Sequence, residues 1–326
     1  VGVNLTANAS VSWIAACLSL VSIQIGFRLY KGSKIRFWKL NFNYNVSLKI
    51  GLILFMLGLF IYSIHNGFNF NLISSKNKIE FTNEGNFSMY MAQAVSLLVC
   101  ASILFVPAIV QKTKYLYLII PIIISFLVFL SGGFRYRLVY LIIALATFYH
   151  LYTYKRVKIF YWVFFSSIIY LSMGIIETTR NYGNGLDLDK VAGQTTLDIA
   201  LTGLNEGKIF FYSGKVIEEV EKKDIYIYFE PFLTALLMPI PRKILPSKPD
   251  GSYLVEIQNI VMRSSRENPG AAFLHYAEAF FSFGWIGVFI NGLLLGILSK
   301  FFWINYLKNP KNILTIASIA LFNGFT

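Results

Sequence analysis

Long apolar stretches separated by short polar ones dominate the chain. Runs of mostly apolar residues occupy 8–29, 47–67, 88–110, 115–132, 137–154, 158–178 and 272–300, and an eighth begins near Ile313. A hydrocarbon core about 30 Å thick needs roughly 20 such residues per helix. The pattern therefore predicts an all-α fold, a polytopic membrane helix bundle. About six transmembrane helices fall in 1–178, a large outer loop of short and interfacial helices in 179–271, and one complete and one truncated helix in 272–326.

The polar segment between Thr179 and Gly270 has its own pattern. Residues 205–224 (NEGKIFFYSGKVIEEVEKKD) suit an amphipathic helix. Ile225–Leu245 is apolar but interrupted by Pro231, Pro239 and Pro241, with Pro246 following. It is too short to span, and is expected to lie at or re-enter the outer interface.

Composition sharpens this picture. Of 326 residues, 56% are hydrophobic and only 14% charged, against about 25% charged in an ordinary soluble domain. This composition argues against a water-soluble globule. The net charge of +13 would elsewhere raise a nucleic-acid partner, which needs clustered Lys and Arg on a solvated face. Here the charge has another origin. Arg28, Lys31, Lys34, Arg36, Lys39, Lys49, Lys112, Lys114, Lys155, Arg156, Lys158, Lys300, Lys308 and Lys311 fill alternate short loops that hold no acid. Basic residues accumulate on the cytoplasmic side, so one orientation satisfies every loop and puts 179–270 on the outer side. Val1 is then also outside, and parity predicts at least one further helix before it. No nucleic-acid partner is expected.

Several familiar chemistries lack their signals. Cys17 and Cys100 lie inside apolar runs, where a thiol acts as a small hydrophobe. Two Cys and three His without metal spacing predict no metal site. There is no Walker A loop, GxGxxG, HExxH or CxxC pattern. Asp187-Leu188-Asp189 matches a DxD pattern but suits a solvated loop, and Gly292-Leu-Leu-Leu-Gly296 suits helix packing within the chain.

Three polar clusters remain, all at the outer boundary. The first is Ser131-Gly132-Gly133-Phe134-Arg135-Tyr136-Arg137, a tight turn whose two Arg either meet an anion or anchor the helix end at the headgroups. The second is Glu177-Thr178-Thr179-Arg180-Asn181-Tyr182, where Glu177 and Arg180 are spaced to form either a site or a structural ion pair. The third comprises Arg242-Lys243, Arg263, Arg266, His275 and Glu278. His275 beside the single acid of its helix points to proton chemistry or to a structural histidine. Guanidinium forks bind phosphate bidentately, so six Arg at this level suit a diphosphate at headgroup depth. Transporters instead place their substrate groups near the bilayer midplane.

These residues resemble a family. A helix ending in Ser131-Gly132-Gly133-Phe134-Arg135, a loop with Pro239-Ile-Pro241-Arg242-Lys243 and Pro246-Ser-Lys248-Pro249, and the stretch Gly270 to Glu278 to Gly284-Trp-Ile-Gly287 are together similar to the Wzy-type O-antigen and oligosaccharide repeat-unit polymerases of bacterial cytoplasmic membranes. The resemblance implies a GT-C-like glycosyltransferase with a periplasmic loop and a site facing the periplasm. It would move a growing glycan from undecaprenyl diphosphate onto a lipid-linked repeat unit, without a cofactor or metal. Its partners would be undecaprenyl-diphosphate-linked oligosaccharides, membrane lipids and a polysaccharide chain-length regulator. Arg135, Arg137 and Arg180, supported by Arg242, Arg263 and Arg266, would bind the diphosphate. Either Arg135 or Arg137 corresponds to the arginine of the family's turn. The base would be Glu278 or His275, with Glu177 in reserve, and Tyr182 and Tyr253 would stack on sugars. An O-antigen ligase, differing only in its acceptor, and a flippase or exporter of lipid-linked oligosaccharide are the alternatives.

Overall fold

A computed structural model describes residues 5–32, 43–65, 94–111, 113–131, 135–155, 158–179, 193–203, 208–237, 240, 245, 247 and 273–325. Among them every regular element is helical. These are α1 (Leu5–Leu29), α2 (Tyr44–His65), α3 (Leu97–Gln111), a 3-10 turn (Thr113–Leu118) running into α4 (Ile119–Ser131), α5 (Arg135–Thr153), α6 (Ile159–Thr179), α7 (Thr196–Gly203), α8 (Lys208–Lys223), α9 (Glu230–Leu237), α10 (His275–Lys308) and α11 (Ile313–Phe325). Asn8–Leu29, Tyr44–Ile64 and His275–Lys308 are long and apolar enough to cross a membrane. Shorter apolar helices fill Leu97–Gln111, Tyr115–Leu130 and Ile313–Asn323.

In hydrocarbon each backbone polar group must be satisfied within the protein, and a helix does this locally. Hydroxyls are accommodated in the same way. Ser63, Ser102, Ser167, Ser299 and Ser318 each donate to the carbonyl four residues back, at 2.7–2.9 Å. Pro107 inside α3 lacks an amide proton. Three residues before it, the Leu104 carbonyl accepts the Ser47 hydroxyl of α2 at 2.8 Å.

The chain forms two compact units, each assembled from distant pieces: residues 1–32 with 205–301, and residues 33–204 with 302–326. The second unit is built around α3, whose Leu98, Val99, Ala101, Ile103 and Phe105 are buried together with Phe129 of α4, Phe148 of α5 and Ile316 of α11. Helix α2 meets α3 through small residues. A Cβ at Gly58 would press on the Leu98 side chain, and one at Gly51 on Phe105. The outward face of α2 carries Ile53 and Met56, 66% and 64% exposed. Helix α6 takes α7 at Gly174, where a Cβ would collide with the Ile199 carbonyl.

The first unit packs α1 against α8 and α10. The buried stripe of α1 is Asn8, Ser12, Ala15, Ser19, Ser22 and Gly26, at alternating intervals of four and three, which keeps one helix face inward. Its outward face carries Trp13 and Leu20, each 63% exposed. A Cβ at Gly292 would strike Ser22 Oγ, one at Gly296 the Ile23 carbonyl, and one at Gly26 the Leu293 carbonyl. The Gly292-to-Gly296 motif therefore packs two helices of one chain, as its sequence context suggests.

Helix α10 departs from expectation. The sequence predicts one uninterrupted helix over 272–300, but the backbone breaks at Phe283 (φ −142°, ψ 25°) and Gly284 (φ 61°, ψ −147°) and then continues to Lys308. Gly284 lies in a region of φ,ψ space that is essentially glycine-only. The break removes the helical donors of nearby carbonyls, and the connector after α8 replaces them: Ile227 N donates to the Phe281 carbonyl at 3.1 Å and Tyr228 N to that of Ser282 at 3.0 Å. Tyr226, Tyr228 and Phe229 pack around Phe280 and Phe283.

The amphipathic helix expected within 205–224 forms as α8. It ends at Asp224, with φ 52°, and Ile225 N bonds back to the Val220 carbonyl at 3.3 Å, a Schellman closure. That reversal launches 225–228 toward the break. Pro231, which the sequence reading treats as an interruption, sits in the first turn of α9. There a missing N–H costs nothing, because the first amides of a helix have no partner within it.

Two expectations follow. Gly284→Ala should destabilise the protein by about 1–3 kcal/mol, read as a lower unfolding midpoint in detergent; an unchanged midpoint would mean the break is not obligatory. Second, α7 opens with a capping box: Asp198 Oδ2 accepts the Thr195 hydroxyl at 2.7 Å and the Thr195 amide at 3.0 Å, and Asp198 N donates to Thr195 Oγ1 at 3.2 Å. The Thr195 hydroxyl and amide hold the Asp198 carboxyl below the usual carboxylate range. The cap is thus fully present above the ordinary pKa of about 3.9 and is lost as pH falls through the lowered value. Amide exchange in α7, corrected for intrinsic rates, should accelerate only in that acid window, and Asp198→Asn should flatten the dependence.

Candidate functional site

His275 and Glu278, two residues of the third cluster, lie in the first turn of α10. Serines of two other helices hold three consecutive residues there. The Leu274 amide donates to Ser213 Oγ of α8 at 2.8 Å. His275 Nε2 lies 3.1 Å from Ser19 Oγ of α1. The Tyr276 hydroxyl lies 2.6 Å from Ser12 Oγ, which in turn donates to the Phe210 carbonyl at 2.8 Å. A hydroxyl has one proton to give, so the Tyr276 phenol is the donor to Ser12.

Burial explains why these partners are needed. Ser12, Ser19, Ser213 and Tyr276 are buried, and a buried hydroxyl without a partner costs on the order of 1–3 kcal/mol. Ala277, Phe280 and Phe281 pack with Val216, Ile217 and Val220 of α8 and Ala15 of α1, seating the helix start on an apolar floor. His275 remains exposed and Glu278 half-buried. A carboxylate in the first turn is favoured by the positive end of the helix dipole.

The second unit carries the other described candidates. Arg135 is the first residue of α5. Arg137 is half-buried there, between exposed Tyr136 and buried Leu138. Glu177 belongs to the last turn of α6, which is closed by hydroxyl bonds from Thr178 to the Gly174 carbonyl and from Thr179 to that of Ile175. Helices α5 and α6 pack together and are joined by the short connector 154–158, which makes them antiparallel neighbours. The helix ends bearing Arg135, Arg137 and Glu177 therefore lie at the same end of this pair. The side chains of Arg135 and Glu177 fall outside the described residues, as do Arg180, Tyr182, Arg242, Tyr253, Arg263, Arg266 and the Asp187-Leu188-Asp189 triplet.

The arrangement places an imidazole and a carboxylate on one rigid helix start in one unit, and two guanidinium-bearing residues at another helix start in the other. The first pair can exchange protons, and the second can meet an anion. Among the described residues no group of three His, Cys, Asp or Glu is placed to hold a metal ion. No family model, curated protein or solved structure matches the chain.

Sequence reasoning missed the serines. Their signal is the spacing of Ser12, Ser19 and Ser22 with Asn8, Ala15 and Gly26, a small-residue stripe in an otherwise bulky apolar helix. The stripe identifies the packed face, but its hydrogen-bond partners come from residues about 200 and more than 250 positions away.

Ser12→Ala and Tyr276→Phe should each lower stability in detergent by about 1–3 kcal/mol. The double variant should cost less than the sum, with a coupling of about 0.5–3 kcal/mol. Strict additivity would show that the two hydroxyls do not act as a pair.

Proposed function

We propose that the chain is a multi-pass membrane glycosyltransferase of the repeat-unit polymerase type. It acts at the outer face of a bacterial cytoplasmic membrane and transfers a growing glycan from undecaprenyl diphosphate to a lipid-linked repeat unit. The observation that carries the reading is the first turn of α10, where His275 and Glu278 are presented on a helix start fastened by Ser12, Ser19 and Ser213. A base must be held close to its working geometry, and the bonds that satisfy these buried hydroxyls hold the helix start in place. Further support comes from Arg135 and Arg137 at the start of α5 and from the basic character of alternate short loops.

In the reaction, an acceptor hydroxyl attacks the anomeric carbon of the donor while diphosphate departs. Negative charge grows on the leaving group, and fixed cations aimed at it lower the barrier. That role falls to Arg135, Arg137 and Arg180, with Arg242, Arg263 and Arg266 in support. His275 or Glu278 takes the hydroxyl proton, with Glu177 held in reserve. Tyr182 and Tyr253 stack on sugar rings. A chain-length regulator would act as a separate partner.

The test is a ladder assay with the purified full-length protein and a single lipid-linked repeat unit. A ladder without added nucleotide or metal is expected. Arg135→Ala or Arg137→Ala should slow it by about 10²–10³-fold, and Glu278→Gln or His275→Gln by about 10²–10⁴-fold for whichever is the base. Wild-type ladders from all four variants would overturn the reading. Transfer to a lipid A core without self-polymerisation would identify a ligase, and transbilayer movement of the unit without bond formation a flippase.

A further inference from the structure

The level at which His275 stands is fixed by the two long helices beside it. In α1 the apolar span runs from Asn8 to Leu29, and Ser19 lies in its middle, eleven residues from Asn8 and nine from Arg28. At 1.5 Å per residue these intervals are about 16 Å and about 14 Å, the two halves of a hydrocarbon core about 30 Å thick. Helix α10 gives the same level. Its Gly292 packs on Ser22 Oγ and the Ser19 carbonyl, and Lys300, about 12 Å further along the helix, has its Nζ 4.4 Å from the centre of the Phe27 ring. Arg28 and Lys300 thus end the two apolar spans at one level, and Ser19 stands half a membrane away from it. His275 Nε2 is 3.1 Å from Ser19 Oγ, so Gly292 and His275 meet the same serine, although an unbroken helix would hold them about 25 Å apart. The break at Phe283–Gly284 makes this possible by turning the chain back, so that a Cβ at Gly287 would collide with the carbonyl of Ala279.

The two sides of this level differ. Toward Arg28, α1 and α10 touch backbone to backbone: no methyl group fits at Gly26 against the Leu293 carbonyl or at Gly296 against that of Ile23, and Tyr30 packs edge-on against Phe301. Water has no passage between them there. At the first turn of α10, by contrast, His275 is exposed, Leu274 is 37% exposed and Glu278 is half-buried. An exposed imidazole with a carboxylate one turn away faces either hydrocarbon or water at this depth. Ionisable groups within a membrane face the bundle interior or a water-filled cavity, and a helix start carries amides without acceptors in the helix, a demand that water meets and hydrocarbon does not. We infer that an aqueous indentation enters this unit from the outer face and ends at His275, near the middle of the membrane, with the packed α1–α10 contact as its floor. It takes hydrated polar solutes: water, small ions and sugar hydroxyls. The inference needs only level, exposure and packing, and so stands apart from the polymerase reading. For the transfer proposed above, it means that the acceptor sugar descends below the headgroups to reach His275.

Cysteine accessibility of the full-length protein in sealed proteoliposomes of known orientation tests this, with Cys17→Ser and Cys100→Ser removing the two native thiols. A charged, membrane-impermeant methanethiosulfonate added on the outer side should modify His275→Cys and Leu274→Cys about a hundredfold faster than Leu20→Cys, because the reactive thiolate forms in water and not in hydrocarbon. Leu20 is the control because it adjoins Ser19 and is 63% exposed on the outward face of α1. Added on the cytoplasmic side, the reagent should modify neither reporter. Bimane on Leu20→Cys should be quenched most by lipids brominated near their chain ends, which places Ser19 at mid-depth. Strongest quenching by bromines near the headgroups would put His275 at the membrane surface and overturn the inference. So would failure of both reporters to react from outside while their unfolding midpoints in detergent match the wild type, since they would then face hydrocarbon. Faster reaction from the cytoplasmic side would remove the floor and overturn it too. None of these readouts depends on polymerisation, so the inference and the polymerase reading fail separately.

Discussion

A helix broken inside an apolar segment frees carbonyls that water cannot satisfy, and the first unit is organised around the repair of one such break. At Phe283–Gly284 the ladder of α10 is interrupted, and the amides of Ile227 and Tyr228 take up the carbonyls of Phe281 and Ser282. For those amides to arrive, α8 must end in a sharp reversal, which Asp224 provides through its positive φ and the Ile225-to-Val220 bond. Helix α8 must itself lie close to α1. It does so at Gly214, where even one methyl group would strike the Asn8 carbonyl. Each step supplies a donor or a clearance that the next requires.

Helix α1 of this unit reverses the soluble pattern of large residues inside and small or polar ones outside. Small residues and hydroxyls line the contact face of α1, while Trp13, Ile14, Leu20, Val21 and Leu29 face outward. In water this would be unstable. In lipid no hydrophobic gain separates a leucine on the contact face from one facing hydrocarbon, so close backbone approach and hydrogen bonds between helices decide the interface. The same rule explains α2, whose Ser47, Gly51 and Gly58 meet α3 while Ile53 and Met56 point away.

This chemistry also determines how much could be read in advance. Apolar runs over 8–29, 47–67, 137–154 and 158–178 predicted helices within a few residues of their positions, because run length alone separates such a helix from a strand. The break in α10 was hidden by the same uniformity. Phe283-Gly284-Trp285 is apolar like its surroundings, and the donors that make the break tolerable lie more than fifty residues earlier in the chain. Pro231 was misleading for a related reason: a proline ends a helix or begins one according to where the turn before it falls. In the candidate clusters, the residue types of His275 and Glu278 in one unit and of Arg137 in the other were legible because charge is rare in such a chain. Their supports were not, since a serine in an apolar helix most often bonds its own backbone, as Ser63, Ser102 and Ser318 do.

The segment that bears His275 and Glu278 is short, only His275–Ser282 before the break. Eight residues do not hold a helix on their own, because nucleation is costly and few bonds repay it. Its form is imposed at both ends: by Ser12, Ser19 and Ser213 at the start, and by Ile227 and Tyr228 at the finish. Of these five supports, four engage backbone groups or the Tyr276 phenol. Of the five, Ser19 engages the imidazole proposed to react, and it does so through one ring nitrogen. The contacts that hold the segment's shape thus fall mostly on backbone groups and the Tyr276 phenol. An interrupted helix can serve this purpose where a continuous one would not, because the break gives the segment a second end at which it can be gripped.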